Sequence, residues 1–202
     1  MEKGSYGYIK KKRTKLIMWL FLDIAVAVAI FIIGLMLNDF SNANIFTVVA
    51  MLFTLPGAKI LVSLIVVFPY KGLSDEIHKQ IAKKTNNSEA VLYDLVLTSP
   101  EKVMYIKSLA ITDDEYIILP DNKMLKSKSK DAELDSMKAY IHKHMSNYGF
   151  EKEIVIIENE MDYVEKLGTV NFENENLEIY ETGNDDKAKL EEIKKTLLIL
   201  EV

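Results

Sequence analysis

Two charges stand where charge is costly. Asp23 interrupts the apolar run "LIMWLFLDIAVAVAIFIIGLML" over residues 16–37. Lys59 interrupts a second run, "IFTVVAMLFTLPGAKILVSLIVVFP", over residues 45–69. Asp23 lies eight residues past Lys15 and Lys59 ten residues before Pro69, so in a bilayer each sits about 12–15 Å deep from the same side. A lone charge at such depth costs at least ~3 kcal/mol, and mutual pairing is its natural relief. The chemistry this intramembrane pair, Asp23 with Lys59, could do is to latch a hairpin, line an ion path or grip a partner's helix. Pro56-Gly57, just before Lys59, predicts a kinked or thinned second helix that lets its neighbour approach.

Other reactive side chains are sparse. The chain has no cysteine, which excludes disulfides, thiolate catalysis, cysteine-held metal centres and palmitoylation. His142 and His144 are spaced i, i+2 and point to different sides of a helix, so they do not share one metal, and His78 stands alone; all three are expected as exposed helix residues. No glycine-rich phosphate loop, nucleophile elbow or calcium loop is present. Asp113-Asp114-Glu115 and Asp185-Asp186 are turn and helix-start acids. Lys123, Lys126, Lys128 and Lys130 form a basic loop, either solvated or available to anionic lipid or nucleic acid.

The elements that must carry these residues follow from periodicity and charge. Each apolar run is long enough to cross a hydrocarbon core of about 30 Å, and in lipid the backbone must bond to itself as a helix. The first run is too long for a signal peptide and lacks a small-residue cleavage site. Lys3, Lys10, Lys11, Lys12, Arg13 and Lys15 precede it, Lys71 follows the second run, and the 38–44 loop has no Lys or Arg. Positive residues stay inside, so both termini are expected in the cytoplasm, in a two-pass cell-membrane topology. Tyr6, Tyr8, Trp19 and Tyr70 fall at the expected inner interface. The organisation expected is a basic cytoplasmic N-terminus over 1–15, membrane helices over 16–37 and 45–69 joined by an external 38–44 loop, a juxtamembrane helix over 70–87 and a cytoplasmic α/β domain over 88–202. Lysine outnumbers arginine 24 to 1 and Ile and Asn are common, the composition of an AT-rich bacterial genome.

Within the cytoplasmic part, "SDEIHKQIAKKTN" opens on Ser74 as N-cap with acids in its first turn. Three strand-like runs follow at 90–98, 103–111 and 116–119, separated by "SPE" and "DDE" turns. Residues 132–148 place Leu134, Met137, Ile141, Met145 and Tyr148 on one helical face. A buried strand at 153–158, a short helix at 160–167, a weak extended stretch at 170–181 and an amphipathic C-terminal helix complete the chain. Residues 70–202 carry 18 basic and 27 acidic side chains, a net −9 that repels polyanions, so nucleic acid is not the expected partner.

This α-β-β-β-α-β order, with "VLYDLVLT", "VMYIKSLAITDDEYIIL" and "EIVIIE", resembles the nuclease-related domain, a branch of the restriction-endonuclease-like PD-(D/E)XK group. The resemblance covers about residues 75–160. It implies a metal site in which an Asp–His pair begins the second strand and a Glu-x-Lys ends the third, the carboxylates holding a divalent ion that activates water. Here the Asp–His position falls on Lys107-Ser108, and the acid-x-lysine position falls near Asp121-Asn122-Lys123. Asp94 on the first strand is the substitute acid, expected beside Tyr105 and on the other face from Asp121. The resemblance thus implies catalytic roles for Asp121, Lys123 and Asp94, with Mg²⁺ as cofactor, only if nuclease activity is kept. The pattern reads as a degenerate version with no cofactor. The expected function is a membrane-anchored, non-catalytic module acting on a protein partner or by self-association. The alternatives are a membrane-tethered metal-dependent nuclease, or an accessory subunit of a transport or envelope complex.

Overall fold

The computed structural model describes residues 2–86, 88–99, 103–121, 129–170, 172 and 183–199. They fall into two compact units, one of residues Ile9–Lys71 and one of Met1–Tyr8 with Gly72–Val202.

The first unit is two long helices, α1 (Tyr8–Leu37) and α2 (Ile45–Val67), both long and apolar enough to cross a membrane. Helix α1 starts well before the apolar run and takes in the basic residues Lys10–Lys15. Asn44 caps α2 by accepting from the Thr47 amide at 3.0 Å, and its side-chain nitrogen donates to the Gly34 carbonyl at 3.3 Å. Asn38 donates to the same carbonyl at 2.9 Å, so the short connection is tied to the end of α1. Glycine allows the helices to touch. A Cβ on Gly34 would collide with Phe46, and a Cβ on Gly57 would collide with the Asp23 carboxylate. Within the two apolar runs Ala27, Gly34, Ala50, Gly57 and Val67 are the buried positions, and small residues at such a seam let backbones approach.

The second unit is an α/β domain around a four-stranded mixed sheet of order β1-β2-β3-β4. Helix α3 (Asp75–Lys84) precedes β1 (Val91–Thr98), β2 (Val103–Ile111) and β3 (Glu115–Pro120), an antiparallel meander. Helix α4 (Lys130–Ser146) crosses over to β4 (Glu153–Ile156), which runs parallel to β3. Helices α5 (Glu160–Leu167) and α6 (Gly183–Ile199) follow. The expected order is therefore the one observed; α3 fills only 75–84 of the expected 70–87, and the other boundaries of this unit move by one or two residues. Of the expected 170–181 stretch, Phe172 forms a bridge to Thr112, and its remaining residues beyond 170 lie outside those described.

Local chemistry fixes these elements. Ser74 accepts from the Ile77 amide, and Asp75 and Glu76 complement the start of the α3 dipole. Asp113 and Asp114 form a two-residue turn, closed by the Thr112 amide donating to the Glu115 carbonyl at 3.0 Å. Strand β2 is buried at eight consecutive positions, which requires cover on both faces. Helix α3 packs with α5, and α4 with α6 and β4. Ile77 and Ile81 of α3 enter the same core as Leu95, Ile106 and Ile118, so this helix is part of the domain rather than a separate juxtamembrane segment.

Candidate functional site

The sheet is irregular at one place, and the candidate acids gather there. Between the pairs Tyr93–Ser108 and Leu95–Ile106, Asp94 leaves the ladder with φ at +55°. This left-handed conformation is one that Asp tolerates better than most residues. Directly across, the β2–β3 register slips between Ile106 and Ser108, a bulge at Lys107. The slip pairs Ile106 with Pro120, and the Asp121 amide donates to the Tyr105 carbonyl at 3.1 Å. An unbulged ladder would have set Asp121 opposite Ile106, as the turn position predicts.

Asp94 is fully buried, and the Tyr105 hydroxyl donates to its Oδ1 at 2.6 Å, so Asp94 does lie beside Tyr105. Gly72, at φ +76°, fits over the carboxylate, and a Cβ there would stand 3.3 Å from Oδ1. Burial, followed by the negative charge of Asp94, pushes the Tyr105 hydroxyl pKa well up; the charge of Asp121 adds to the same shift. Tyr105 thus connects the two acids, its hydroxyl donating to Asp94 and its carbonyl accepting from the Asp121 amide. Tyr105 stays protonated and serves as a fixed donor. Chemically, the cluster ties β1, β2 and the Gly72 segment through a buried carboxylate. Lys123, the third residue implied by the resemblance, lies outside the described residues.

The Asp–His position of the resemblance is committed to structure. Lys107 is nearly buried and donates to Glu160 Oε1 at 2.8 Å, at the first turn of α5. Ser108 is fully buried, donates to the Leu92 carbonyl at 3.3 Å and accepts from the Tyr163 hydroxyl at 3.0 Å. Burial raises the Tyr163 pKa, which keeps that phenol a donor. Among the described residues no group of three or more His, Asp or Glu side chains could hold a metal ion. Of the basic loop, Lys123, Lys126 and Lys128 lie outside the described residues, and Lys130 pairs with Glu158 at 2.7 Å.

The histidines divide. His142 is exposed as expected. His144 is half-buried, with Nε2 3.1 Å from the Thr196 carbonyl, and joins α4 to α6. His78 is not a free surface residue. It packs between Tyr6, with ring centroids 3.7 Å apart, and Tyr93, at 5.0 Å. Tyr6 itself is expected at a lipid interface but belongs to the α/β unit, where its hydroxyl bonds Asp75. Two residues earlier, the Gly4 carbonyl accepts from the Tyr93 amide at 2.7 Å, so residues 4–6 form a strap along the outer edge of β1. In the sequence the strap is signalled only by an aromatic placed just ahead of a basic cluster. Beside it, a cleft of about 460 Å³ is lined by Lys3, Lys194 and Lys195 and by Glu2, Glu89 and Glu191, a nearly self-neutralising set. Lys194 is bonded to Glu191 at 2.9 Å within it.

The pairing of Asp23 with Lys59 does not occur within the chain. Asp23 lies in the seam against Gly57, whereas Lys59 is exposed, and no ion pair joins them among the described residues. The reason is helical phase. Two residues rotate the direction by about 200°, so a helix that turns Gly57 toward α1 must turn Lys59 away. Comparison with protein-family models, with curated proteins and with solved structures returned no match.

Proposed function

We propose that the chain is a membrane-anchored module. Helices α1 and α2 cross the bilayer as a hairpin, and the α/β domain faces the cytoplasm and acts by binding a protein rather than by catalysis. The observation that carries the reading is the strap. Residues Met1–Tyr8, ahead of the hairpin, form one compact unit with the domain that follows it. That supports a hairpin with both ends on one side of the bilayer, and the basic residues flanking it favour the cytoplasm. A binding role is supported by Lys107 and Ser108, which are spent on Glu160, Leu92 and Tyr163 where the related nuclease pattern places its metal acid.

Because the chain has no cysteine, single cysteines test the topology cleanly. An impermeant maleimide should label Ser41→Cys in intact cells, and should label Ser5→Cys and Ser88→Cys only after permeabilisation. Labelling of Ser5→Cys and Ser41→Cys from the same side would overturn the hairpin. Capture of the full chain from gently solubilised native membranes should return a reproducible partner protein.

A metal-dependent nuclease is the second reading. It is favoured by Tyr105, which bonds Asp94 through its hydroxyl and the Asp121 amide through its carbonyl. Calorimetry of the full chain with Mg²⁺ or Mn²⁺ separates the two readings. A saturable heat that disappears in Asp121→Ala would replace binding by catalysis.

A further inference from the structure

We propose that two copies of this chain associate in the membrane, Lys59 of each meeting Asp23 of the other. The inference rests on the membrane reading above. Lys59 is the basic residue embedded in the apolar part of α2, and its phase directs it away from α1. It does not leave the hydrocarbon easily. The nearer end of α2, at Val67, is eight residues or about 12 Å away. The Cα–Cβ bonds of a helix tilt toward its N-terminus, so the side chain starts out pointing away from that end.

The surface around Lys59 has the period of a second packing seam. Leu52, Leu55, Lys59, Val62 and Val66 recur at spacings of three and four, and Leu52, Leu55 and Val62 are each about 60% exposed. A single polar residue in an apolar seam sets register and partner number, as a buried polar position does in a coiled coil. The complementary charge is present on the same chain. Asp23 is the acid embedded in α1, it is half-buried with part of its surface open, and it abuts Gly57. Lys59 lies two residues from Gly57, about 3 Å along the axis, so the two charges are at one depth. A two-fold axis along the membrane normal preserves depth. It brings each Lys59 to the other copy's Asp23 and forms the contact twice, as an isologous interface does. Ionisable residues inside a bilayer characteristically face a bundle interior and pair with one another.

The test uses the full chain carrying one dye on Ser41→Cys, reconstituted at high dilution in phosphatidylcholine vesicles, with photobleaching steps counted per particle. The unaltered charge pair should give a population bleaching in two steps. Lys59→Gln and Asp23→Asn, each close to the native size, should each lower that population at least tenfold. Mixing the two variants should restore mixed dimers, because one intact Asp23–Lys59 pair remains. Recovery on mixing also shows that both variants fold. Single-step bleaching of the parent chain, an undiminished dimer in Lys59→Gln, or no recovery on mixing would each overturn the proposal. If the parent chain is monomeric but resists alkaline carbonate extraction, the membrane reading survives, and Lys59 is left to a lipid phosphate or a foreign helix. If carbonate extracts the chain, the membrane reading fails and this proposal fails with it.

Discussion

Tyr105 and Gly57 show how single side chains set this structure. The Tyr105 hydroxyl donates to a fully buried carboxylate, that of Asp94. Tyr105→Phe keeps the ring and removes the donor. Losing one hydrogen bond to a buried carboxylate costs about 1–3 kcal/mol, so the unfolding free energy of the α/β unit in urea should fall by that much, read by near-UV circular dichroism. Gly57 answers a different demand. In a helix, replacing Gly by Ala gains about 1 kcal/mol in propensity. Here the added carbon would meet the Asp23 carboxylate, and overpacking costs about 1–3 kcal/mol. Clash should therefore win, increasingly so with Gly57→Val, which should lower the thermal midpoint of the protein in detergent micelles. An unchanged midpoint would mean that Asp23 leaves the notch without penalty. Asp94 was legible in the sequence as an acid on a strand. Its left-handed φ was not, because that depends on the facing bulge and on Gly72.

At the scale of elements, the strap against α3 depends on protonation. Burial lowers the His78 pKa below its ordinary 6.5, and the charges of Asp75 and Asp94 oppose this without reversing it. The fold thus holds the neutral ring, and the unfolded chain binds the proton more readily. The stability contributed by this contact is present above about pH 6.5 and is lost as the pH falls below it. Tyr6 moves the other way. Burial, then its hydrogen bond to Asp75, raises its pKa from 10.0 to about 12. Its contribution is full below pH 10 and is lost as the pH rises toward 12. The Tyr93 amide, bonded to Gly4, reports the strap directly. Its hydrogen-exchange protection, corrected for intrinsic rate, should be greatest near pH 7–9 and should fall on acidification to pH 5.5. His78→Phe should abolish the acid limb. The strand boundaries and the starts of α3 and α5 were legible, because caps such as Ser74 and Asn159 and the Asp113-Asp114 turn act locally; the start of α1 at Tyr8 was not, because its first two turns are polar.

At the scale of the whole molecule, the strap ties the start of the chain to a domain more than seventy residues away. It also covers part of the β1 edge, and an open edge invites pairing with other chains. Deleting residues 2–7 should therefore lower the domain's thermal midpoint by several degrees and promote association through β1. Light scattering during a thermal ramp checks both outcomes.

Patterns that act along the chain were determined by the sequence alone. They include two apolar helices of membrane length, their flanking charge, and the α-β-β-β-α-β order with its caps and turns. These depend on residues within a few positions of one another, through hydrogen-bonding geometry and the periods 3.6 and 2. Azimuth and register were decided only by the tertiary structure. The sequence set Asp23 and Lys59 at similar distances from the same end of the two apolar runs, but packing chose Gly57 for the seam and so turned Lys59 outward. It likewise set Asp121 after a third strand, but the bulge at Lys107 slipped the ladder by one residue. Rotation about a helix axis and a one-residue slip leave local periodicity almost unchanged. Only close packing between distant segments distinguishes the alternatives.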